Sequence, residues 1–574
     1  MKKIIQQTLS ILNISEKREL KIIFFLTVVA NFLETFTISL IFPLVSKITN
    51  TESNSKILNF EYFKNIFSEN ALLNFFIIFL IVFFFKLIFM LLFIYKQKSF
   101  IHRLTANLSL RVLKKYISQN LNFYYTNNSS LLTRNIVQEI SQLISGVIEN
   151  SINLTIELLL VILLVSLAFY AEPLITLVIF LVFFASFIFF YKTITPKTKK
   201  WGKQTQKLRG SILKRLNEIF SSIKFIKVTN KELYFYKGAK KDFLENARIS
   251  IFYEFTKSFP RPLFEFLLVV LIVLIVQFKF NYGEFENYAN ILPLIGLYAA
   301  IAFRIVPSFT RILVHLNNIK FSKASVDVIF QELKLNDKKA LSFENNKNFK
   351  FNNIEFKNVS FAYNNKSEVF ENISFSINKN EFVAIVGESG IGKTTLIDLL
   401  AGLVKPTKGE ILLNGKGLHS ENINNIISAI GYIPQNYNFL DDTIEKNIAF
   451  GEEKSDMEKI EKSLSQANLL QFVKSLKNKY YEEIGEQGIL LSGGQKQRLA
   501  IARSLYLDAQ ILILDESTSN LDKETEAKIF EEFMSLKNQK TLVVITHKMM
   551  NYQHFDKIIS IKDKKIEINL RKKN

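Results

Sequence analysis

A glycine-rich loop occupies residues 387–394, where the chain reads Gly387-Glu388-Ser389-Gly390-Ile391-Gly392-Lys393-Thr394. The residues before it, 381–386, are typical of a strand, and those from Thr395 onward are typical of a helix. A loop of this kind between a strand and a helix surrounds phosphates with backbone N–H groups, backed by the positive end of the helix dipole. The sequence therefore predicts a nucleotide site in which Lys393 reaches the β- and γ-phosphates and Thr394 binds Mg²⁺.

A second apolar run ends in two adjacent carboxylates. The segment Ile511-Leu512-Ile513-Leu514 is typical of a buried parallel strand, and Asp515 and Glu516 follow it directly. In phosphoryl transfer, one such carboxylate holds Mg²⁺, here through water, and the other orients or deprotonates the attacking water. We therefore predict that Asp515 is a Mg²⁺ ligand and that Glu516 is catalytic.

Between these two motifs lies a further candidate anion site. The run Leu491-Ser492-Gly493-Gly494-Gln495 opens a stretch, 496–506, with helical periodicity. A Ser-Gly-Gly at a helix start offers free N–H groups, a hydroxyl and the positive end of the helix dipole. One ATP does not need two such helices from a single domain. The sequence therefore predicts a homodimer in which one chain presents Ser492 to the γ-phosphate bound by the other.

The N-terminal half of the chain contains long apolar stretches. The 574 residues are 48% hydrophobic, carry a net charge of +21 and include no cysteine, which excludes disulfides, cysteine–zinc sites and thiol catalysis. A bilayer core takes about 20 mostly apolar residues per helix. Six stretches meet this length, so we predict a membrane protein rather than a nucleic-acid binder, with spans near 22–45, 71–95, 152–171, 173–191, 260–278 and 289–314.

The lysines and arginines between the spans predict their orientation. The segment 192–259 holds seventeen of them against five acidic residues, and 96–150 holds seven. The loops on the other side together hold four against six acidic residues. Because basic loops stay in the cytoplasm, the N-terminus, both long loops and the C-terminal domain are predicted to be cytoplasmic.

The predicted fold class is multi-domain. A six-helix α-helical transmembrane domain occupies 1–320, a linker occupies 321–350, and an α/β P-loop domain that binds ATP occupies 351–574. Residues 55–67, rich in isoleucine and phenylalanine, are compatible with an amphipathic helix at the outer membrane surface.

Both long cytoplasmic loops are mostly helix-compatible, so the spans are expected to continue as helices below the membrane. Each loop contains a break where a short cross-helix can turn, at 120–128, which includes Tyr124 and Tyr125, and at 220–230. We expect these cross-helices to press on the ATP-binding domain.

Residues 491–495 resemble the signature motif of ABC ATPases, and the other motifs of that family occur in order. The resemblance implies that Tyr363 stacks on adenine. It also implies that Gln435, in Tyr432-Ile433-Pro434-Gln435, contacts Mg²⁺ and the membrane domain during catalysis. His547 matches the histidine that contacts the γ-phosphate, although its setting, Thr546-His547-Lys548, departs from the commoner Ala-His-Arg.

The same resemblance covers essentially the whole chain. Six spans followed by one ATPase domain are the arrangement of ABC exporter half-transporters, which implies ATP and Mg²⁺ as cofactors and two active sites in a homodimer. Residues 485–488 are similar to the exporter-specific loop, and 519–522 to the dimer-contact loop, with Asn520 where alanine is usual. The implied Mg²⁺ ligands are Thr394, Gln435 and Asp515, and the implied ATP contacts are Tyr363, Gly387, Glu388, Ser389, Gly390, Gly392, Lys393, Thr394, Thr395, Ser492, Gly493, Gly494 and Gln495.

Basic residues inside the predicted spans suggest an anionic cargo. An ionisable group within a span costs about 2.5–3.5 kcal/mol on insertion scales and is a functional candidate by default. Four such cations lie between mid-bilayer and the cytoplasmic side, and the visible carboxylates, Glu34, Glu157 and Glu265, are expected not to balance them across the dimer. The candidate cargo-binding residues are Lys86, Arg261, Arg304 and Arg311.

Several of these segments also resemble bacterial flippases of lipid-linked oligosaccharides in the N-glycosylation pathway. The similar segments are 34–40, 224–227 and 303–308 with Arg311, and Lys86 stands where that family has arginine. The resemblance implies a protein of the bacterial inner membrane that moves a polyprenyl-pyrophosphate-linked oligosaccharide to the outer leaflet. The alternatives are an exporter of peptides, drugs or other lipids, and an ATP-gated channel or regulator.

Overall fold

The computed structural model describes residues 2–40, 71–171, 173–281, 292–335, 349–363, 368–419, 423–515, 531, 534–537, 539–546 and 554–570. The chain divides into two compact units, Met1–Gln119 with Asn127–Lys339, and Asn120–Thr126 with Ala340–Asn574. The predicted outer helix at 55–67, the dimer-contact loop at 519–522, and the catalytic candidates Glu516 and His547 lie outside the described residues.

From residue 2 to residue 335 the described chain is helical. Two π-helical turns, Asn135–Glu139 and Ile144–Glu149, join the helices Ser129–Arg134, Ile140–Leu143 and Asn150–Ala171 into one helical run. The helices are α1 (Lys2–Ile11), α2 (Ile14–Ser39), α3 (Ala71–Ile117), α4 (Leu121–Thr126), α5 (Ser129–Arg134), α6 (Ile140–Leu143), α7 (Asn150–Ala171), α8 (Pro173–Ser221), α9 (Ile223–Val228), α10 (Glu232–Ser258), α11 (Pro260–Asn281), α12 (Leu292–Phe321) and α13 (Lys323–Glu332).

Four stretches of described helix are long and apolar enough to cross a membrane. They are α2, residues 76–117 of α3, residues 129–170 and α8. The predicted fifth span, 260–278, falls within α11, and the described part of the predicted sixth span, from residue 292 to residue 314, falls within α12. Large apolar side chains on α3, such as Leu80, Phe84 and Phe85, are exposed. A lipid environment accommodates such a surface, and a helix satisfies its own backbone hydrogen bonds there.

Helices α2, α7 and α12 share an apolar core in the first unit. Leu160, Leu164 and Ala168 of α7 pack against Ile301 of α12, with Ile38 of α2 at the edge of the cluster. On the same helix α12, Phe321 approaches α8 so closely that a Cβ atom added to Gly202 would lie 2.0 Å from the Phe321 carbonyl oxygen. Small residues of this kind let membrane-protein helices approach each other closely.

Both predicted breaks in the cytoplasmic loops contain a short helix. Helix α4 lies at the first break and α9 at the second, so this prediction is confirmed. Residues 120–126, which include α4, group with the second compact unit rather than with the helices on either side of them. The expectation that the first cross-helix presses on the ATP-binding domain is therefore confirmed.

The second unit contains two sheets in its described residues. Strands β1 (Asn353–Ala362), β2 (Glu368–Asn378), β4 (Lys408–Leu413) and β5 (Lys416–Gly417) form an antiparallel sheet in the order β2-β1-β4-β5. The strands of the other sheet are β3 (Phe382–Val386), β6 (Ile430–Ile433), β7 (Ile511–Asp515), β8 (Thr541–Ile545), β9 (Lys557–Lys562) and β10 (Lys565–Leu570). They lie in the order β10-β9-β3-β8-β7-β6, and the sheet is parallel except at its β10–β9 edge.

Two apolar clusters cover the faces of this parallel sheet. In β3, Phe382 and Ala384 belong to one cluster, while Val383 and Ile385 belong to the other. A strand buried on both faces needs a continuous apolar sequence, as β3 and β7 have. The helices of this unit are α14 (Lys393–Leu400), α15 (Ile423–Ala429), α16 (Ile444–Ile448), α17 (Met457–Gln466), α18 (Leu470–Ser475) and α19 (Gly493–Tyr506), with short 3₁₀ turns at Lys479–Tyr481 and Glu486–Gly488.

The close contact between α8 and α12 predicts the effect of a single methyl group. Gly202→Ala would place a Cβ atom against a backbone oxygen that cannot rotate away, and overpacking of this kind costs about 1–3 kcal/mol. We expect a lower melting midpoint in detergent for Gly202→Ala. The exposed neighbour Lys203 provides the control, since Lys203→Ala should melt like the unaltered chain. Equal midpoints for both variants would contradict the packing described here.

Candidate nucleotide and membrane sites

The phosphate loop joins the centre of the parallel sheet to helix α14. It follows β3, which lies between β9 and β8. Gly390 and Gly392 have φ angles of +79° and +113°, in the left-handed region that favours glycine. A Cβ atom on Gly392 would also lie 2.7 Å from Val369 Cγ1. The loop therefore has the tight backbone that the sequence predicts, and Glu388 and Ser389 are exposed on it.

Lys393 is held against the loop that precedes it. Its buried ammonium donates hydrogen bonds to the carbonyl oxygens of Gly387 at 3.0 Å and Glu388 at 3.1 Å. The next residue, Thr394, is exposed at the start of α14, whereas Thr395 is buried. This arrangement places the cation and the Thr394 hydroxyl at the positive end of the helix, where an anion binds favourably.

Asp515 is a buried carboxylate at the carboxyl end of β7. The hydroxyl of Tyr432 donates a hydrogen bond to Asp515 Oδ2 at 2.9 Å. Burial, followed by the charge of Asp515, raises the pKa of Tyr432, so this hydroxyl stays protonated and remains a donor. Tyr432 lies three residues before Gln435, and it belongs to the site although the sequence analysis assigned it no role.

A second buried carboxylate, Asp398, was also missed by the sequence analysis. The Tyr125 hydroxyl donates a hydrogen bond to Asp398 Oδ2 at 3.0 Å. Burial and, to a smaller extent, the charge of Asp515 raise the pKa of Asp398 to about 6, while the Tyr125 hydrogen bond acts in the opposite direction. Its position four residues after Thr394, on one face of α14, was the signal available in the sequence.

Tyr363, the predicted adenine contact, lies beside the phosphate helix. Its hydroxyl and the Thr395 hydroxyl are 3.1 Å apart and share a hydrogen bond. Its ring meets the ring of Tyr125 edge-on, with centroids 5.9 Å apart, and that of Phe361 edge-on at 4.8 Å. The partly exposed Tyr363 is thus held next to residues of the predicted ATP site.

Ser492 begins helix α19 as its N-cap. The Ser492 hydroxyl accepts a hydrogen bond from the Gln495 backbone at 3.4 Å, and the Gln495 side chain accepts one from the Ser492 backbone at 2.8 Å. Added Cβ atoms on Gly493 and Gly494 would meet no described atom within 4 Å. The helix start therefore presents accessible backbone beside the capping hydroxyl, as an anion site requires.

The residues that are present fit a Mg²⁺–nucleotide site. Mg²⁺ usually binds one or two protein oxygens and completes its shell with water and phosphate. Asp515 and Thr394 offer such oxygens, Gln435 is exposed, and the described residues contain no cluster of three or more acidic or histidine side chains suited to hold a metal alone. Asp515 and Gln435 remain predicted ligands.

Lys86 and Arg304 lie around one carboxylate in the membrane-spanning unit. Arg304 of α12 forms an ion pair with Glu34 of α2 at 2.6 Å. Lys86 of α3 donates a hydrogen bond to the Thr37 hydroxyl at 3.1 Å and lies within electrostatic range of Glu34 and Arg304. This polar cluster, formed by Glu34, Thr37, Lys86 and Arg304, holds two basic side chains and one acidic one.

The two other predicted cargo-binding cations have carboxylate partners of their own. Arg311 forms an ion pair with the buried Glu157 of α7 at 2.5 Å. Arg261 donates a hydrogen bond to Glu265, one turn further along α11, at 2.8 Å, and both side chains are more than half exposed. Among the described residues, no hydrogen bond or ion pair joins Arg261 to the polar cluster.

The expectation that these cations lack balancing carboxylates is therefore wrong for the chain as described. Each of the three arginines meets a glutamate. An arginine in an apolar environment needs an opposite charge to offset its desolvation, and the glutamates supply it. Glu157 and Glu265 also accept hydrogen bonds from Arg311 and Arg261. Within the polar cluster, Lys86 provides the excess basic group.

Two families match the chain. Residues 20–280 match the ABC transporter transmembrane region, and residues 370–519 match the ABC transporter family. An ATP-dependent lipid A-core flippase of Saccharophagus degradans is 32% identical over 361 residues, which are 63% of this chain and 61% of that protein. A flippase of the same name from Haemophilus influenzae is 41% identical over 36% of each chain. This chain thus spans less than two thirds of these relatives.

A solved structure shares the fold. The structure of a bacterial Atm1-family ABC exporter with ATP bound has a TM-score of 0.78 over 97% of this chain and 96% of that chain, at 19% identity. The predicted fold class, a helical transmembrane domain followed by an ABC ATPase domain, is confirmed. Along one chain, a match to the ABC transporter transmembrane region at residues 20–280 is thus followed by a match to the ABC transporter family at residues 370–519.

Proposed function

We propose that the protein is an ATP-driven flippase that moves an anionic, amphipathic lipid across the bacterial inner membrane. The observation that carries this proposal is the polar cluster between apolar helices, with Lys86 and Arg304 around Glu34. Polar groups at this depth are costly and are retained mainly for function. The similarity to proteins named lipid A-core flippases supports a lipid as the cargo.

The ATP chemistry is assigned to residues of the second unit. Lys393, now bonded to the carbonyl oxygens of Gly387 and Glu388, would turn to the β- and γ-phosphates of ATP. Tyr363 would stack on the adenine, and the loop N–H groups would surround the phosphates. Glu516 would accept a proton from the attacking water, while His547 would contact the γ-phosphate.

The proposed Mg²⁺ ligands are Thr394, Asp515 and Gln435. When bound, Mg²⁺ would neutralise negative charge on the transferred phosphoryl group. Tyr432 keeps one oxygen of Asp515 occupied by its hydrogen bond. The carboxylate thereby has a fixed orientation.

We propose that two copies of the chain share each nucleotide. The exposed Ser492 and the open backbone at Gly493 and Gly494 make α19 a second anion-binding helix start. A phosphate held by Lys393 of one copy would bind this helix start of the other, so ATP would join the two domains. By linkage, cargo binding and this closure would change each other's affinity.

The specific cargo proposed is a polyprenyl-pyrophosphate-linked oligosaccharide. The arginine guanidinium can donate two parallel hydrogen bonds to the oxygens of a diphosphate. A polar cavity would allow the charged head group to cross without entering the hydrocarbon of the bilayer, where burial of a charge is costly. Because Arg304 and Arg311 are already paired, the diphosphate would have to compete with Glu34 and Glu157. The excess basic group, Lys86, would favour an anion over a neutral head group. The alternative is an exporter of another amphipathic substrate.

Glu516→Gln tests the proposed hydrolysis. Loss of the base should lower kcat for ATP by about 100-fold or more, because glutamine cannot accept the proton. The affinity for ATP should stay within about threefold, since the phosphate loop is unchanged. Both are measurable on the purified chain in lipid vesicles, by phosphate release and by nucleotide binding. Asp508→Asn, at an exposed carboxylate, is the matched control. Full turnover by Glu516→Gln would remove Glu516 from this role.

A paired substitution tests the anionic cargo. Arg304→Gln alone would leave the Glu34 carboxylate without its ion-pair partner. Arg304→Gln is therefore combined with Glu34→Gln, so that both charges are removed. Loss of an arginine fork should slow the flipping of a labelled polyprenyl-pyrophosphate lipid by about tenfold or more. Flipping of the same polyprenyl chain with a neutral head group should change little. Both rates are measured in vesicles of phosphatidylethanolamine and phosphatidylglycerol.

The control neutralises an exposed pair of the same kind. Lys214→Gln with Glu218→Gln removes an ion pair from the surface of α8 and should leave both flipping rates unchanged. If the Arg304/Glu34 variant flips the pyrophosphate lipid as fast as this control, the anionic cargo is refuted. Its ATP hydrolysis, measured in parallel, reports whether the rest of the protein still works.

A further inference from the structure

Two buried carboxylates of the second unit are each bonded to a tyrosine hydroxyl. Asp515 accepts a hydrogen bond from Tyr432 at 2.9 Å, and Asp398 accepts one from Tyr125 at 3.0 Å. The charges of Asp398 and Asp515 act on each other, and Tyr432 is within electrostatic range of both as well as of Tyr125. The four side chains therefore form one group, which includes the predicted Mg²⁺ ligand Asp515.

Asp398 lies on the helix that carries another predicted Mg²⁺ ligand. It follows Thr394 by four residues in α14, so the two side chains share a helix face. The Asp398 side chain is buried, with its carboxylate bonded to Tyr125. A buried negative charge so placed favours a cation bound at the neighbouring oxygens, because electrostatic interactions are weakly screened there.

Tyr125 comes from a part of the chain that is distant in sequence. Helix α4 packs into the second unit through Leu121, which touches its apolar core, and through the edge-on contact between Tyr125 and Tyr363. The chain continues from both ends of α4 into helices of the first unit, α3 and α5. Any displacement of those helices that moves α4 would act on the hydrogen bond between Tyr125 and Asp398.

We propose that Asp398 is a positioning residue of the Mg²⁺–nucleotide site, and that the Tyr125 hydroxyl sets its orientation and so links helix α4 to hydrolysis. This inference rests on the proposed ATP hydrolysis and adds two residues to it. Asp398 acts through its charge on Mg²⁺ held by Asp515 and Thr394. Tyr125 acts only through Asp398, so its effect should vanish when that carboxylate is absent.

The test is the dependence on free Mg²⁺ of both nucleotide binding and ATP hydrolysis, measured with the full chain in lipid vesicles. Asp398→Asn removes the charge and should raise the half-saturating Mg²⁺ concentration by about tenfold. Tyr125→Phe removes one hydrogen bond to a charged acceptor and should raise it by about threefold. Tyr481→Phe removes a hydroxyl from an exposed tyrosine of the second unit and should leave the value unchanged.

A double-mutant cycle separates this role from a structural one. In the Asp398→Ala background, which has neither charge nor acceptor, Tyr125→Phe should have no further effect on the half-saturating Mg²⁺ concentration. A merely structural role would lower the melting midpoint and leave the Mg²⁺ dependence as it was. Equal effects of Tyr125→Phe in both backgrounds, or unchanged Mg²⁺ dependence in Asp398→Asn, would overturn the inference.

The outcomes also distinguish this inference from the proposed function. A wild-type chain without Mg²⁺-dependent hydrolysis would refute the function itself. A wild-type chain that hydrolyses ATP, with variants that respond to Mg²⁺ as it does, would refute only the role of Tyr125 and Asp398. If the buried Asp398 variants fail to fold, Tyr125→Phe still tests the inference, because it deletes a single oxygen from a half-exposed side chain. An unchanged half-saturating Mg²⁺ concentration in Tyr125→Phe would then overturn it.

Discussion

The nucleotide site depends on a backbone constraint at the end of β3. Gly390 and Gly392 adopt left-handed conformations, and a side chain at Gly392 would collide with Val369. Only this tight turn lets the loop N–H groups and the start of α14 face the same phosphate, with Lys393 beside them. The parallel sheet, buried on both faces, holds the turn in place and brings Asp515 to the end of β7. The proposed chemistry of the protein follows from this arrangement.

In the membrane-spanning unit, the glutamates balance the charge of arginines that lie among apolar helices. Arginines among apolar helices are expensive unless a carboxylate accompanies them, and Glu34 and Glu157 accompany Arg304 and Arg311. These pairs connect α12 to α2 and to α7, so they contribute to helix orientation as well as to charge balance. A cargo that binds the arginines would exchange one anion for another. This exchange offers a physical reason why an anionic head group could be both recognised and released.

Local sequence patterns predicted the phosphate loop and the short helices of this molecule. Contacts between residues far apart in the sequence could not be predicted in this way. The strand–loop–helix at 381–395, the apolar strand before Asp515 and the short helices at both loop breaks each follow from a few consecutive residues. The partners of the membrane arginines do not, since Glu157 precedes Arg311 by 154 residues. The hydrogen bond between Tyr125 and Asp398 joins residues 273 positions apart. One sequence shows which side chains are costly to bury, but their partners emerge only from the packed helices.

We propose that the phosphate loop of one chain and the start of α19 of another hold the same nucleotide. Because the chain contains no cysteine, two introduced cysteines, Ser389→Cys and Ser492→Cys, would report on this contact alone. The measurement is disulfide formation between two copies in vesicles, with and without Mg²⁺ and ATP, in the Glu516→Gln background. We expect a crosslinked dimer that forms with ATP and requires both cysteines. A chain that stays monomeric with ATP, or that crosslinks equally without it, would contradict the shared site.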